Sequence, residues 1–189
     1  ILALLGFLLI FGKAQLTPYA VIVASLIGIL IPYMRFNVWG KAEQNRKIFM
    51  GDSGSLTLGF ILGFLFVKSA MHNPPLMSAS PARFVLAYSL LIVPVFDVVR
   101  VILHRLRIRQ PLFNADKNHI HHKLMRLGMT QHQALIFILG LAVAYVALNL
   151  LLFPAVSITC IVLIDVATFT FIQLLLTRKA ERKKMKIAT

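Results

Sequence analysis

One carboxylate stands out in the sequence because it lies among glycines and serines at the start of an apolar run. It belongs to the heptapeptide Phe49-Met50-Gly51-Asp52-Ser53-Gly54-Ser55. Glycine lets the backbone turn tightly and approach a ligand closely, and Ser53 and Ser55 are suited to cap the following helix. Such a turn presents N–H groups to an anion, and Asp52 offers a hard oxygen ligand suited to Mg²⁺. The alternative is an acidic cap on a membrane helix.

Three histidines lie within four residues, at His119, His121 and His122, shortly after Asp116. Imidazole rings donate hydrogen bonds to phosphate, relay protons or bind transition metals. We therefore predict that this segment contacts an anionic substrate. Two alternatives stay open: a zinc site, which the lack of a thiolate partner and the few carboxylates disfavour, and a basic loop that merely contains histidines. The remaining histidines stand alone and receive no assigned chemistry: His72, His104 and His132.

Two further polar positions interrupt apolar runs. Asp97 and Arg100 are three residues apart and therefore share a helix face. A charged side chain in a membrane helix is costly unless it is paired or lines a polar cavity. The pattern favours an internal ion pair that locks the helix, and the alternative is that either residue borders a functional site. Asp165 has no charged neighbour at helical spacing, and hydrogen bonding to another helix is the only role we assign to it.

The composition is that of a membrane protein. Of 189 residues, 59% are hydrophobic and only 14% are charged, and the mean hydropathy is +0.83. A soluble domain has about half apolar and about a quarter charged residues. The single cysteine, Cys160, lies in an apolar run, so a disulfide framework is excluded and a packing role is expected.

Apolar windows near the roughly 20 residues that cross a bilayer predict six spans in one all-α membrane domain. They cover residues 1–12, 16–34, 55–71, 83–103, 133–152 and 155–177. No repeat or second soluble domain is visible over residues 1–189. The chain opens in hydrophobic residues without a Met or a basic leader, which leads us to expect a fragment that begins within a shortened span.

Basic residues predict the orientation of these spans. Strict alternation places the connections 35–54 and 104–132 and the tail 178–189 on one side. With Arg100, near the end of the fourth span, that side collects seventeen of the twenty Lys and Arg residues. The excess marks it as cytoplasmic. The net charge of +14 is then explained by membrane topology and by attraction to anionic lipids. Nucleic-acid binding is disfavoured, since the charges are spread over loops at the membrane edge.

Three motifs in order resemble a known family. They are Phe49–Leu56, then Pro94–Arg100, then His119–Leu124 with its His-Ile-His-His run. Together they resemble the polyprenyl-phosphate N-acetylhexosamine-1-phosphate transferases of glycosyl transferase family 4, which include phospho-MurNAc-pentapeptide translocase. The resemblance extends over essentially the whole chain. The His-Ile-His-His form is more similar to the N-acetylglucosamine-1-phosphate branch than to the translocase branch.

The resemblance implies an enzyme of the bacterial cytoplasmic membrane whose site faces the cytoplasm. Its substrates would be a UDP-N-acetylhexosamine and polyprenyl (undecaprenyl) phosphate, and its cofactor Mg²⁺, with Mn²⁺ as the alternative ion. Homodimers are also expected from the family. We assign Asp52 as metal ligand and, with His119, as catalytic. The substrate-binding residues predicted from the motifs are His119, His121, His122, Arg105, Gly51 and Ser53. Arg107 and Arg109 lie nearby in sequence.

The chain departs from the family pattern in one respect. The family carries an Asp-Asp pair and an Asn-x-x-Asp-Gly segment upstream, and neither is present here. The resemblance therefore implies a C-terminal portion with only part of the site, which would be inactive alone. The competing hypothesis is a small membrane transporter or scaffold that uses Asp97, Arg100 and Asp165 as intramembrane polar sites. The missing repeat and the clustering of polar residues on one side disfavour it.

Overall fold

The computed structural model describes residues 1–40, 46–71, 80–111 and 119–188. The regular secondary structure of these residues is entirely α-helical, which confirms the predicted fold class. Seven helices follow one another in these ranges: α1 Leu2–Lys13, α2 Thr17–Trp39, α3 Gly51–Ala70, α4 Pro81–Arg107, α5 Ile120–Arg126, α6 Gln131–Leu152 and α7 Ile158–Ala188.

Five of these helices are long and apolar enough to cross a membrane: α2, α3, α4, α6 and α7. In four of them, only 11% to 22% of the most apolar stretch is buried within the protein, whereas in α4 the share is 44%. The side chains left exposed are largely apolar, as expected for helices surrounded by lipid. The first predicted span corresponds to α1, a shorter apolar helix of 12 residues.

The chain forms two compact units, and the first contains residues Ile1–Leu90. Its core lies along α1, which packs against α2 and α3. Phe7 and Phe11 are fully buried, and the ring of Phe11 lies 5.4 Å from that of Tyr19. The Lys68 ammonium lies 5.0 Å from the centre of the same Tyr19 ring, a cation–π contact. Tyr19 therefore packs the start of α2 against α1 and against the end of α3.

The start of α3 differs from the predicted turn. The helix already begins at Gly51, so Asp52 and Ser53 lie in its first turn rather than in a loop before it. Gly51 has φ +67°, a left-handed conformation that favours glycine, so the tight turn is confirmed there. The predicted serine caps are wrong, since Met50 holds the cap position and no side chain caps it. Ser55 instead donates to the Asp52 carbonyl at 2.9 Å.

The second unit contains residues Leu91–Thr189 and is built around the short helix α5, which the sequence did not predict. α5 lies inside the predicted loop 104–132 and packs against α6 and α7. Its apolar side chains Ile120 and Leu124 are buried together with Ala134 of α6 and Leu176 of α7. Thr130 caps α6 through a capping box with Gln133. Apolar burial on one face thus fixes α5 in place.

Helices α6 and α7 are joined by a short reversal and by polar contacts inside the apolar region. The reversal at Phe153-Pro154 agrees with the prediction. The Asn149 amide donates to the Asp165 carboxylate at 2.9 Å, and both residues are fully buried. This is the interhelical hydrogen bond expected of Asp165. Helix α7 continues past the predicted span end at residue 177, so the basic tail prolongs the helix as far as Ala188.

Candidate functional site

Asp52 lies on the surface of the first unit, in the first turn of α3. Its neighbours Gly51 and Ser53 are exposed as well. The N-terminus of a helix carries a partial positive charge and free N–H groups, so an anion bound there is stabilised. An exposed carboxylate at this point can share a cation with the phosphate groups of a ligand, which is how Mg²⁺ is commonly held. The first turn of α3 therefore suits the predicted role of Asp52.

The structure brings together a second carboxylate and the histidine segment in the second unit. Asp97 of α4 lies 3.0 Å from Nδ1 of His119 through its Oδ2 atom. The backbone N–H of Ile120 donates to both Asp97 oxygens, at 3.3 and 3.2 Å. Asp97 is only 7% exposed, whereas the His119 side chain is 34% exposed. The buried carboxylate thus holds a histidine that remains open to solvent.

Asp97 is also the partner of two further side chains. Arg100 donates to its Oδ1 atom at 3.1 Å, which confirms the ion pair predicted from their spacing. Gln173 of α7 approaches the same oxygen at 3.5 Å. Because a buried charge is costly unless it is paired and hydrogen-bonded, these contacts explain how the carboxylate is tolerated. Three helices meet at this group.

The rings of the three histidines lie close together, with those of His119 and His121 nearly parallel and that of His122 tilted. The ring of His121 lies 6.0 Å from that of His119 and 4.0 Å from that of His122. Desolvation lowers the pKa of His121, and the nearby rings of His122 and His119 act in the same direction. At neutral pH His121 is therefore mainly uncharged, with one ring nitrogen able to donate and the other able to accept.

Lys123 is a functional candidate that sequence reasoning counted only as a loop charge. It is 7% exposed, and its ammonium donates to Gln173 at 3.1 Å and to Thr177 at 2.7 Å. Burial lowers its pKa to about 8, and the positive charge of Arg100 contributes in the same direction. Lys and Arg are almost never fully buried without partners. Burial of Lys123 could therefore have been predicted only from its pairing with Gln173, which lies fifty residues further along the chain.

A cavity of ≈ 1210 Å³ lies beside this group, within the second unit. Helices α4 and α7 form most of its wall, and α5 contributes two cationic residues. One part of the lining is apolar, and the rest carries basic groups. The apolar part includes Val95, Val99, Leu103, Val166, Phe169 and Leu174; the polar part includes Arg100, Arg107, Lys123, Arg126, Gln173, Thr177 and Glu181. The chemistry of this lining suits an anion attached to an apolar chain.

The other predicted site residues are distributed as follows. Arg105 is buried, and its guanidinium donates to the Pro111 carbonyl at 2.8 Å. Arg107 lines the cavity, and Arg109 is exposed. Asp116, which precedes the histidines, lies outside the described residues. Among the residues that are described, no three His, Cys, Asp or Glu side chains are grouped as a metal site.

The structure therefore joins His119, His121 and His122 to Asp97 and Lys123, while Asp52, Gly51 and Ser53 belong to the first unit. The predicted meeting of Asp52 with the histidines stays a prediction. Sequence reasoning identified the Asp97–Arg100 pair but gave Asp97 no assigned contact with His119. A carboxylate inside an apolar run, followed by a histidine cluster, was the available signal.

Comparison with known proteins reveals clear relatives. Residues 1–70 match glycosyl transferase family 4. The chain is 34% identical over 124 residues to the undecaprenyl-phosphate alpha-N-acetylglucosaminyl 1-phosphate transferase of Yersinia pestis, which covers 66% of the chain and 32% of that protein. Proteins of the same name from Escherichia coli K12 and Pasteurella multocida are 31% and 32% identical, over 65% and 60% of the chain and 32% and 30% of their own lengths.

These matches confirm the family resemblance, and the relatives are named for the N-acetylglucosamine branch that the histidine pattern predicted. The matched stretches are shorter than the whole-chain resemblance that the motifs indicated. The family match ends at residue 70 and so includes Asp52 but not the histidines. The chain spans about a third of the length of these relatives. No solved structure matches it significantly.

Proposed function

We propose that this chain, a relative of the glycosyl transferase family 4 enzymes, forms part of a UDP-N-acetylhexosamine:polyprenyl-phosphate N-acetylhexosamine-1-phosphate transferase. The sugar is N-acetylglucosamine, the acceptor is undecaprenyl phosphate and the leaving group is UMP. The relatives' names support the sugar phosphate and the acceptor. The observation that carries the proposal is the His119 group, in which three neighbouring imidazoles and a buried carboxylate lie beside the basic groups of a cavity.

The reaction requires little covalent chemistry from the protein. An oxygen of the lipid phosphate attacks the phosphorus nearer the sugar, the bond from that phosphorus to the bridging oxygen breaks, and UMP leaves with that oxygen. Phosphoryl transfer of this kind depends on positioning and on charge neutralisation. Imidazole and ammonium groups that donate to phosphate oxygens supply both. The proposal assigns this role to His122 and Lys123, and to His119 when its Nε2 carries a proton.

Asp52 would hold Mg²⁺, or Mn²⁺ as the alternative. The residues present fit this role, since Asp52 is exposed at a helix start and Mg²⁺ prefers one or two carboxylates together with ligand phosphates. Such an ion would polarise phosphate oxygens and stabilise charge on the leaving group. Asp52 itself contributes a fixed carboxylate, and the N-terminus of α3 contributes partial positive charge near the phosphates.

The cavity between α4 and α7 supports a lipid acceptor. Its apolar lining suits an isoprenoid chain, and its basic end suits the single phosphate group. The charge asymmetry of the loops supports a cytoplasmic position for this end. The product would be the first lipid-linked intermediate of a cell-envelope polysaccharide.

The test uses the full-length protein in membranes that are supplied with UDP-N-acetylglucosamine, labelled in the sugar, and undecaprenyl phosphate. We expect Mg²⁺-dependent label in the lipid phase with equimolar UMP, both abolished by EDTA. Release of sugar phosphate into water, or no UMP at all, would contradict the proposal. Counterflow of a labelled solute in proteoliposomes without UMP release would favour the transporter hypothesis.

A further inference from the structure

Asp97 of the motif Pro94–Arg100 takes no step of its own in the proposed chemistry, yet it is among the most highly connected groups of the second unit. Asp97 accepts hydrogen bonds from the Ile120 backbone and from Arg100, and its Oδ2 atom lies 3.0 Å from Nδ1 of His119. Gln173 approaches from α7. A carboxylate that only locked its own helix would need Arg100 alone. The additional contacts link it to the histidine segment.

The chemistry of the Asp97–His119 contact determines which ring nitrogen carries the proton. An ionised carboxylate only accepts hydrogen bonds, so the nitrogen that faces it must be an N–H donor. In the neutral ring, Nδ1 therefore bears the hydrogen, and Nε2 is left with a lone pair for a ligand or a proton. The same carboxylate fixes the main chain next to the ring, because it accepts the first N–H of α5.

We propose that Asp97 is a positioning residue: it fixes the tautomer and orientation of His119 and holds the start of α5. The inference rests on the proposed function where His119 contacts substrate, but the contact itself lies within this chain. Asp97 does not touch the reacting atoms. Its effect is transmitted through Nδ1 of His119 and through the Ile120 amide. A misplacement of about 1 Å in a catalytic group can cost about 10²-fold in rate.

The decisive variant is Asp97→Asn, which keeps the size of the side chain. With the amide nitrogen in place of Oδ2, it would donate to Nδ1 of His119, and the neutral ring would have to carry its hydrogen on Nε2. The matched control is Asp165→Asn, because Asp165 is also a buried carboxylate of this unit with an amide partner, but it binds Asn149 instead of the histidine segment.

The experiment records the tautomer directly. The full-length protein is labelled with ¹⁵N-histidine in nanodiscs, and long-range ¹H–¹⁵N spectra at mildly alkaline pH distinguish Nδ1–H from Nε2–H rings. The resonances of His119 are identified by their loss in His119→Gln. We expect Nδ1–H in the wild-type protein and in Asp165→Asn, and Nε2–H in Asp97→Asn. A wild-type His119 with its hydrogen on Nε2 would overturn the proposal without any variant.

The kinetic readout separates positioning from general stability. We expect Asp97→Asn to lower kcat by about 10²-fold with KM for the UDP-sugar within about threefold, and Asp165→Asn to stay near wild type. In a His119→Gln background, Asp97→Asn should add little, since both changes remove one function. A full additional loss there would overturn the positioning role. A wild-type protein that releases no UMP but shows the expected tautomers would instead contradict only the proposed function.

Discussion

Two carboxylates at membrane helices, Asp52 and Asp97, occupy opposite environments. Asp52 is exposed in the first turn of α3. Asp97 is 7% exposed and has partners on α4, α5 and α7. An exposed carboxylate is free to bind a cation or an anion–cation pair, whereas a buried one with several donors is committed to them. The residue type is the same, but the surroundings assign different tasks.

The largest effect should come from the exposed carboxylate. Asp52→Asn removes the charge that would hold Mg²⁺ but keeps the shape of the side chain, so we expect a loss of about 10³-fold in kcat. UMP release at saturating Mg²⁺ measures it. Thr57→Ala, one turn further along α3, is the matched control and should retain activity, because the Thr57 hydroxyl only donates to the Ser53 carbonyl. Wild-type turnover in Asp52→Asn would refute the metal assignment.

The histidine held by the buried carboxylate should come next. His119→Ala removes the imidazole that the proposal assigns to contact with the diphosphate, and we expect kcat to fall by about 10²-fold. His132→Ala is the control, since His132 is an exposed histidine at the start of α6. Steady-state kinetics with labelled UDP-sugar measure both variants. Unchanged kcat and KM in His119→Ala would leave the histidines as ordinary loop residues.

For stability, in contrast to activity, we expect the larger effect at Asp97 and the smaller one at Asp52. Asp97→Ala removes the acceptor that the Ile120 amide and Arg100 share, so we expect a loss of about 2–4 kcal/mol. Asp52→Ala should change stability by no more than about 1 kcal/mol, because its site is exposed. Thermal unfolding in detergent provides the comparison. Equal unfolding temperatures for the two variants would contradict the claim that Asp97 stabilises the fold and Asp52 does not.

A smaller effect should appear in the pH dependence near the buried group. Because the pKa of Lys123 is lowered to about 8, its amine changes from mainly charged to mainly neutral as the pH rises through that value. The charges that surround it are Arg100 and Asp97 of α4, Arg126 of α5 and Glu181 of α7. KM for an anionic substrate should therefore rise by about threefold to tenfold between pH 7 and pH 9.

Lys123→Arg should flatten this rise, since arginine stays protonated throughout that range. Lys13→Arg, at the end of α1, is the control and should keep the wild-type profile. The pH profile of KM, measured for all three proteins in one buffer series, decides the matter. An identical rise in Lys123→Arg would assign the pH effect to another group.

The sequence was informative wherever contacts are local. Apolar windows located the apolar helices, the three-residue spacing predicted the Asp97–Arg100 pair, and Phe153-Pro154 predicted the reversal. The contact between Asp97 and His119 was beyond reach, because it joins residues 22 positions apart. It depends on α5, whose seven residues are held by tertiary burial rather than by length. The burial of Lys123 likewise depends on Gln173 and Thr177, far along the chain.

The first turn of α3 shows a further limit. Serine is a strong helix cap in general, yet here the cap position is Met50, three residues before Ser53, and Gly51 starts the helix in a left-handed conformation. Boundaries of this kind are decided by a single backbone angle. The family match could not correct the prediction, because it aligns residues 1–70 without stating where a helix begins.

Helix α7 contacts α5 and the residue that follows it at two positions along the α7 axis. Gln173 and Thr177 bind Lys123, and further along Lys183 donates to the Leu127 carbonyl at 2.8 Å. Gln173 and Lys183 are about 15 Å apart along a helix axis. The spacing of these contacts is fixed by the geometry of α7. One residue inserted between Thr177 and Lys183 would rotate Lys183 by about 100° around the helix axis and separate it from Leu127. The position of the histidine segment therefore depends on the number of residues in α7, a helix that contains none of these histidines.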